Sequence, residues 1–84
     1  MKVVYLARLR EAFGRSEERL AFSEHDGVPV ADVIAQLRAR GGVWATELAA
    51  GRAFRVAVNH TMASPATAVR AGDEVALFPP VTGG

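Results

Sequence analysis

Apolar and polar positions alternate in three stretches of the chain and recur at helical spacing in one. Residues 2–10, Lys-Val-Val-Tyr-Leu-Ala-Arg-Leu-Arg, predict a first strand with Val3, Tyr5, Ala7 and Leu9 on its core face and Lys2, Val4, Leu6, Arg8 and Arg10 on the other. Residues 11–16 predict a turn or a single helical turn closed by Gly14, and residues 18–22 return as the second strand of a hairpin. Residues 23–27, Ser-Glu-His-Asp-Gly, have loop composition. After Pro29, the apolar residues Val30, Val33, Ile34 and Leu37 fall at i, i+3, i+4 and i+7, the stripe of an amphipathic helix. Asp32 in its first turn, Arg38 and Arg40 in its last and Gly41-Gly42 as a stop agree with that assignment, although no Ser, Thr, Asn or Asp caps its start at Val30. Trp44 and Leu48 predict a short second helix, ended by Gly51, that tucks an aromatic ring under the main one. Residues 53–59 alternate Phe54, Val56 and Val58 inward with Arg55, Ala57 and Asn59 outward. Asn59-His60 is a tight-turn signal leading to a brief extended piece at Thr61-Met62, and residues 64–68 read as irregular, with Val69 as an anchor. Arg70-Ala71-Gly72-Asp73 then turns the chain into a last strand, with Val75 and Leu77 inward and Ala76 and Phe78 outward.

A hairpin, a crossover helix, a short helix and two further strands predict an α+β two-layer domain. The β-grasp, or ubiquitin-like, arrangement fits that order best: a mixed sheet with one main helix packed on one face and the N- and C-terminal strands side by side in parallel at its centre. Residues 1–78 are the expected domain. Pro79-Pro80 supply no backbone N–H and fix φ near −65°, so they should end the last strand. Residues 79–84 (Pro79, Pro80, Val81, Thr82, Gly83, Gly84) are then expected to leave as a flexible tail. At roughly 3.3 Å per residue they reach about 20 Å. The two terminal glycines, without Cβ atoms, suit a channel too narrow for other residues.

The outer sheet face carries a second signal. Val4, Leu6, Ala57, Ala76, Phe78 and Met62 should all point away from the helix, flanked by Arg8, Arg10 and Arg55. An apolar patch with a charged rim is the anatomy of a binding surface.

Composition narrows the chemistry. The 84 residues make one small domain, half of them hydrophobic, enough for a core without a metal or disulfide staple. There is no cysteine, so disulfides, thiolate metal sites and a cysteine nucleophile are excluded together. A net charge of +1 with no basic run longer than two residues asks for neither nucleic acid nor an acidic membrane. With no signal pattern and no apolar run near about 20 residues, a cytoplasmic protein is expected. His25 and His60 stand in predicted loops without partners at metal-ligand spacing, and Ser16, Ser23 and Ser64 lack a nucleophile-elbow context. Glu17-Glu18 and Asp73-Glu74 are adjacent pairs whose members point to opposite faces of an extended chain, with Asp73 better placed as a turn former. No metal or cofactor bound by this chain is expected, nor catalysis by the chain alone. The reactive group that remains is the α-carboxylate of Gly84. Transfer to ATP would make it an acyl-adenylate, and attack by a sulfur nucleophile would leave a thiocarboxylate, with the active sites supplied in trans.

The stretch Gly72-Asp73-Glu74-Val75-Ala76-Leu77-Phe78-Pro79-Pro80-Val81-Thr82-Gly83-Gly84 resembles the C-terminal signature of the molybdopterin synthase small subunit, the ubiquitin-like sulfur carrier of molybdenum cofactor biosynthesis. Ala7-Arg8-Leu9-Arg10-Glu11 and Val56-Ala57-Val58-Asn59 match as well, so the resemblance covers the whole chain. It implies a β-grasp fold and adenylation of the terminal glycine by an E1-like enzyme that uses ATP in trans. A sulfurtransferase donor then converts the adenylate to a thiocarboxylate, and the tail inserts into the large synthase subunit of a heterotetramer. There the sulfur builds the dithiolene of molybdopterin from a cyclic pyranopterin precursor. By this resemblance Gly84 is the thiocarboxylated glycine, Gly83 is its partner in the channel, and Pro79, Pro80, Val81 and Thr82 thread behind them. Leu6, Met62 and Phe78 match apolar positions that contact the large subunit and the activating enzyme, and Val4 and Arg10 complete the expected interface. The chain departs from the family at Val30, where relatives often carry Thr or Ser. Three alternatives stand beside this reading: a ubiquitin-like modifier joined to protein lysines through Gly84; the carrier of thiamine thiazole synthesis, whose chains are typically shorter and lack the Phe-Pro-Pro exit; and an interaction module with an inert tail.

Overall fold

The computed structural model of the chain describes residues 1–21, 27–49 and 51–80. The elements follow in the order β1 (Lys2–Tyr5), α1 (Arg8–Phe13), β2 (Glu17–Arg19), β3 (Val28–Pro29), α2 (Val30–Arg38), α3 (Gly42–Glu47), β4 (Arg55–Val58), β5 (Thr61–Met62), β6 (Ala68–Val69) and β7 (Glu74–Phe78). Five strands form one mixed sheet in the order β2-β1-β7-β4-β5, the β-grasp arrangement. The pairing of β1 with β7 is parallel, and the β1–β2, β4–β7 and β4–β5 pairings are antiparallel.

The most apolar strands take the centre because they are covered on the helix side along their length. Val3 and Tyr5 of β1, Val75 and Leu77 of β7, and Val56 and Val58 of β4 point inward and are buried. They meet Val30, Val33, Ile34 and Leu37, the predicted stripe of α2, all of them buried. Each such aliphatic side chain contributes about 2 kcal/mol of burial.

The first strand is shorter than residues 2–10 predict. It ends at Tyr5, Ala7 takes a left-handed φ of 52°, and α1 begins at Arg8. The reason lies in the spacing of Leu9 and Phe13. These i, i+4 residues reach the core from one face of a helix built of good helix formers, and both are buried. Ala7 is therefore exposed rather than in the core, and Leu9 enters the core from α1. Gly14, at φ 71°, closes α1 by donating its N–H to the Arg10 carbonyl at 3.0 Å.

The uncapped start of α2 also has a structural answer. β3 pairs antiparallel with β6, a two-stranded ribbon whose second strand begins at the end of the segment 64–68 expected to be irregular. It brings the loop 65–67 against the helix terminus, where the N–H of Val30 bonds the Thr67 carbonyl (2.9 Å) and that of Ala31 bonds the Pro65 carbonyl (3.0 Å). Backbone carbonyls replace the missing side-chain cap.

Two further expectations are corrected. Gly42 is the first residue of α3, not part of a stop, and Gly41 at φ 78° is the turning point between the helices. Trp44 packs under α1 rather than α2: its ring stacks on Phe13 at 3.9 Å and 7° and meets Tyr5 edge-on at 5.4 Å. The expected loop residues Ser23 to Asp26, His25 among them, and the end of the second strand at Phe22 lie outside the described residues.

Candidate functional site

β7 lies at the middle of the sheet and ends at Phe78, where Pro79 begins, as the diproline predicts. On the face turned away from α2, the strand registers align Val4 with Ala76, Ala76 with Ala57 and Ala57 with Met62, a row across four strands. One step toward the exit, Phe78 lies opposite Arg55. The N–H of Leu6 donates to the Leu77 carbonyl at 3.0 Å, so the parallel ladder runs one residue past β1 and keeps Leu6 alongside Phe78. Leu6 is 43% and Met62 60% exposed, and Val4, Ala76 and Phe78 are half-buried. Ala57 is buried although it faces outward, because its single methyl group is hemmed in by Ala76 and Met62. The predicted apolar patch is therefore assembled from Val4, Leu6, Met62 and Phe78.

Arg10 is not on its rim. The early end of β1 places Arg10 on α1, exposed, and Arg8 leaves the sheet face for the same reason. Arg8 instead donates from Nε to Glu47 Oε1 at 3.1 Å and from Nη2 to the Ala53 carbonyl at 3.2 Å. Arg52 Nη2 bonds both oxygens of the same carboxylate, at 3.1 and 3.0 Å. These contacts fix the segment before β4 as one wall of a groove of about 520 Å³, lined by Arg8, Gly51, Arg52, Ala53, Pro79 and Pro80. Pro79 and Pro80 are half-buried there. Val81, Thr82, Gly83 and Gly84 lie outside the described residues. The roles of Arg52 and Ala53 were not legible in the sequence, since the partner that organises them, Glu47, comes from α3.

Two polar clusters brace the sheet away from this exit, one of them at the start of β7. Asp73 accepts the Arg70 N–H on Oδ2 (2.8 Å) and the Asn59 amide on Oδ1 (3.1 Å), while Asn59 Oδ1 accepts the Glu74 N–H (3.0 Å). The Arg70 N–H, followed by the Asn59 amide, lowers the Asp73 carboxyl from its ordinary range. Asp73 is a turn former, as expected. At the other side of the sheet, Tyr5 donates its hydroxyl to Glu18 Oε2, and Arg40 grips the two Glu18 oxygens at 2.8 and 2.7 Å. Glu18 points inward to this cluster, whereas Glu17 faces outward, 3.4 Å from Lys2 Nζ. Neither adjacent carboxylate pair shares a site suited to acid–base chemistry. Among the described residues no group of three or more His, Cys, Asp or Glu could hold a metal, and no helix is long and apolar enough to cross a membrane. His60 is exposed at the β4–β5 turn, its Nε2 3.6 Å from Glu74.

An outer apolar face beside the strand that leads to Pro79-Pro80 is an arrangement for being held by a partner, and chains similar in sequence and fold are known. The chain is 38% identical to the molybdopterin synthase sulfur carrier subunit of Haemophilus influenzae, over 100% of this chain and 99% of that protein. It is 36% identical to the subunit of the same name from Escherichia coli, again over 100% and 99%. The crystal structure of SAMP1 from Haloferax volcanii superimposes with a TM-score of 0.80 at 27% identity, covering 99% of this chain and 97% of that one. A structure of the H. volcanii small archaeal modifier protein 1 gives 0.68 at 27% identity, covering 95% of each chain. A chain from the complex of subunits 1 and 2 of the molybdopterin-converting factor of Helicobacter pylori gives 0.65 at 18% identity over 99% and 96%, a likeness of fold. Residues 3–84 match the ThiS family, and the chain belongs to it.

Proposed function

We propose that this chain is the sulfur-carrier subunit of a cytoplasmic molybdopterin synthase and that Gly84 is its working end. The observation that carries this reading is the end-to-end identity with two subunits of that name. The β1–β7 pair, which delivers Pro79-Pro80 beside the apolar face, gives it a physical basis.

In this reading residues 1–78 are the domain and residues 79–84 the arm. An E1-like enzyme holds the outer face while a Gly84 carboxylate oxygen attacks the α-phosphorus of ATP and pyrophosphate leaves. A sulfur nucleophile at the hydrosulfide level, supplied through a sulfurtransferase, attacks the acyl carbon. AMP departs with the original oxygen, a proton is released, and a thiocarboxylate remains. The chain binds no cofactor of its own; ATP is used in trans. In the large subunit, Gly83 and Gly84 pass where a Cβ would not; the thiocarboxylate sulfur bonds to the pterin precursor, and water then cleaves the acyl C–S bond, leaving the sulfur on the pterin and a carboxylate on Gly84. Leu6, Met62, Phe78 and Val4 are the residues the partners hold.

Intact mass spectrometry of the full chain, incubated with its activating enzyme, ATP and a sulfur source, tests the proposal. One oxygen exchanged for one sulfur at the C-terminus is expected, and an unchanged mass overturns it. The likeness to the small archaeal modifier protein favours a second reading, conjugation through Gly84 to lysines of other proteins. Isopeptide adducts of this chain on those proteins would support it.

A further inference from the structure

The exit of β7 is flanked by an excess of positive charge. Arg55 lies opposite Phe78 on the outer face, is exposed, and forms no ion pair among the described residues. Arg8 and Arg52 wall the groove against Pro79 and Pro80 and share a single carboxylate, Glu47, whose side chain is only 15% exposed. Among the described residues, three guanidiniums against one carboxylate leave this end two charges positive, more than the net +1 of the whole chain. Arg10 and Glu11 on α1, one of each sign, do not alter that balance. At the opposite end of the same strands the sign reverses: Lys2 lies between Glu17 and Glu74, and Asp73 adds a third carboxylate.

We propose that Arg55, Arg52 and Arg8 form an electrostatic collar around the tail exit, and that the partner face receiving the tail carries carboxylates around an apolar depression. This rests on the reading that the tail enters the large synthase subunit. Within the collar the residues divide the work. Arg8 and Arg52 are held in place by Glu47 and contribute a fixed field. Arg55 has its guanidinium donors open and stands beside Phe78, so a partner carboxylate can take it in a two-point bond while the Phe78 ring is buried next to it. A like-signed collar facing an acidic rim steers the approach and sets which way round the domain docks, which acts on the association rate more than on the final affinity.

The test is the association rate of the full chain with the large synthase subunit of the same organism, followed by stopped flow from low to high salt. The wild type should associate more slowly as salt rises. Arg55→Glu should slow association about tenfold at low salt and flatten the salt dependence. Its melting temperature should match wild type, because Arg55 holds nothing in the fold. Wild-type rates for Arg55→Glu at low salt, or a salt-independent wild type, would overturn the collar. Phe78→Ala separates the two levels of the argument. If it weakens the complex while Arg55→Glu does not, the collar alone fails; if neither variant alters binding, the docking reading beneath it fails too.

Discussion

Tyr5 and Glu18 are joined by a 2.6 Å hydrogen bond in which a buried phenol donates to Glu18 Oε2, a carboxylate that Arg40 holds through both oxygens. The bond ties the centre of the sheet to its edge strand, and Arg40 ties both to the end of α2.

Tyr5 should titrate only when the protein unfolds. Burial first, then the bond to Glu18 and its negative charge, raises the phenol well above its ordinary 10.0. A raised folded value stabilises the fold in full below the unfolded value and is lost as pH rises through the folded one, so the effect appears in alkali. Tyr5 is the only tyrosine, so phenolate absorbance reports it alone. Ionisation should coincide with alkaline unfolding of the native chain and move to about 10 in urea. A phenolate appearing in the folded protein near 10 would contradict this.

Glu18 acts at the opposite end of the pH scale. Arg40's hydrogen bonds, followed by the Tyr5 hydroxyl, hold its carboxyl below the ordinary 4.5. Its contribution is complete above that ordinary value and fades as pH falls through the lowered one. Glu18→Gln should cost about 1–2 kcal/mol in urea unfolding at neutral pH. The gap from wild type should narrow on acidification below about pH 4.

Trp44 offers a second test of the same region. Its ring is stacked on Phe13 and capped by the Arg40 guanidinium 4.5 Å from the ring centre. Trp44→Ala should cost about 2–3 kcal/mol, less than a fully enclosed aromatic because the ring is half-buried. Arg40→Ala should change the emission of this single tryptophan without unfolding the chain, and an unaltered spectrum would argue against the cation–ring contact.

Gly14 and Gly27 both have positive φ, 71° and 97°, yet should differ in tolerance. A Cβ on Gly14 meets nothing within 4 Å, so Gly14→Ala should cost about 1 kcal/mol of backbone strain. A Cβ on Gly27 would stand 3.2 Å from the Val69 carbonyl oxygen, a backbone atom of the β3–β6 ribbon that would have to shift, and Gly27→Ala should cost about 2 kcal/mol or more. Urea midpoints of the pair decide between them.

Removing Gly84 should abolish sulfur transfer and leave the melting temperature unchanged, since the proposed arm lies beyond the domain. Phe78→Ala should weaken binding of the large subunit, measured by calorimetry, more than it lowers the free-energy of unfolding, because the ring is half-buried on the outer face. A large loss of stability in either variant would place the residue within the fold instead.

The fold was legible wherever one periodicity held without a rival. The α2 stripe and the inward Val75 and Leu77 follow from spacing, and the parallel centre from the order of the elements. Residues 6–10 satisfied two periods at once: Leu9 falls inside whether the chain alternates or coils, and only Phe13, four residues on, settles for the helix. That ambiguity also displaced Arg10 from the patch. The β3–β6 ribbon is two residues per strand, too short for any alternation to register. The apolar face at Val4, Leu6, Met62 and Phe78 could be read from strand parity. Arg55 beside it could be read in the same way, but the positions of Arg8 and Arg52 could not, because they depend on Glu47, which is remote from Arg8 in sequence.

The parallel pairing of β1 with β7 also sorts the chemistry of the surface. It sets Lys2 beside Glu74, at the strand end remote from Phe78, and Lys2 is the only lysine of the chain. The Met1 amine lies at that same end, donating to the Leu20 carbonyl at 2.9 Å. Every primary amine is thus gathered at one pole and the arginine-flanked exit at the other. Acylating reagents will mark the pole away from the exit, so amine coupling to a surface presents every molecule with the same end outward.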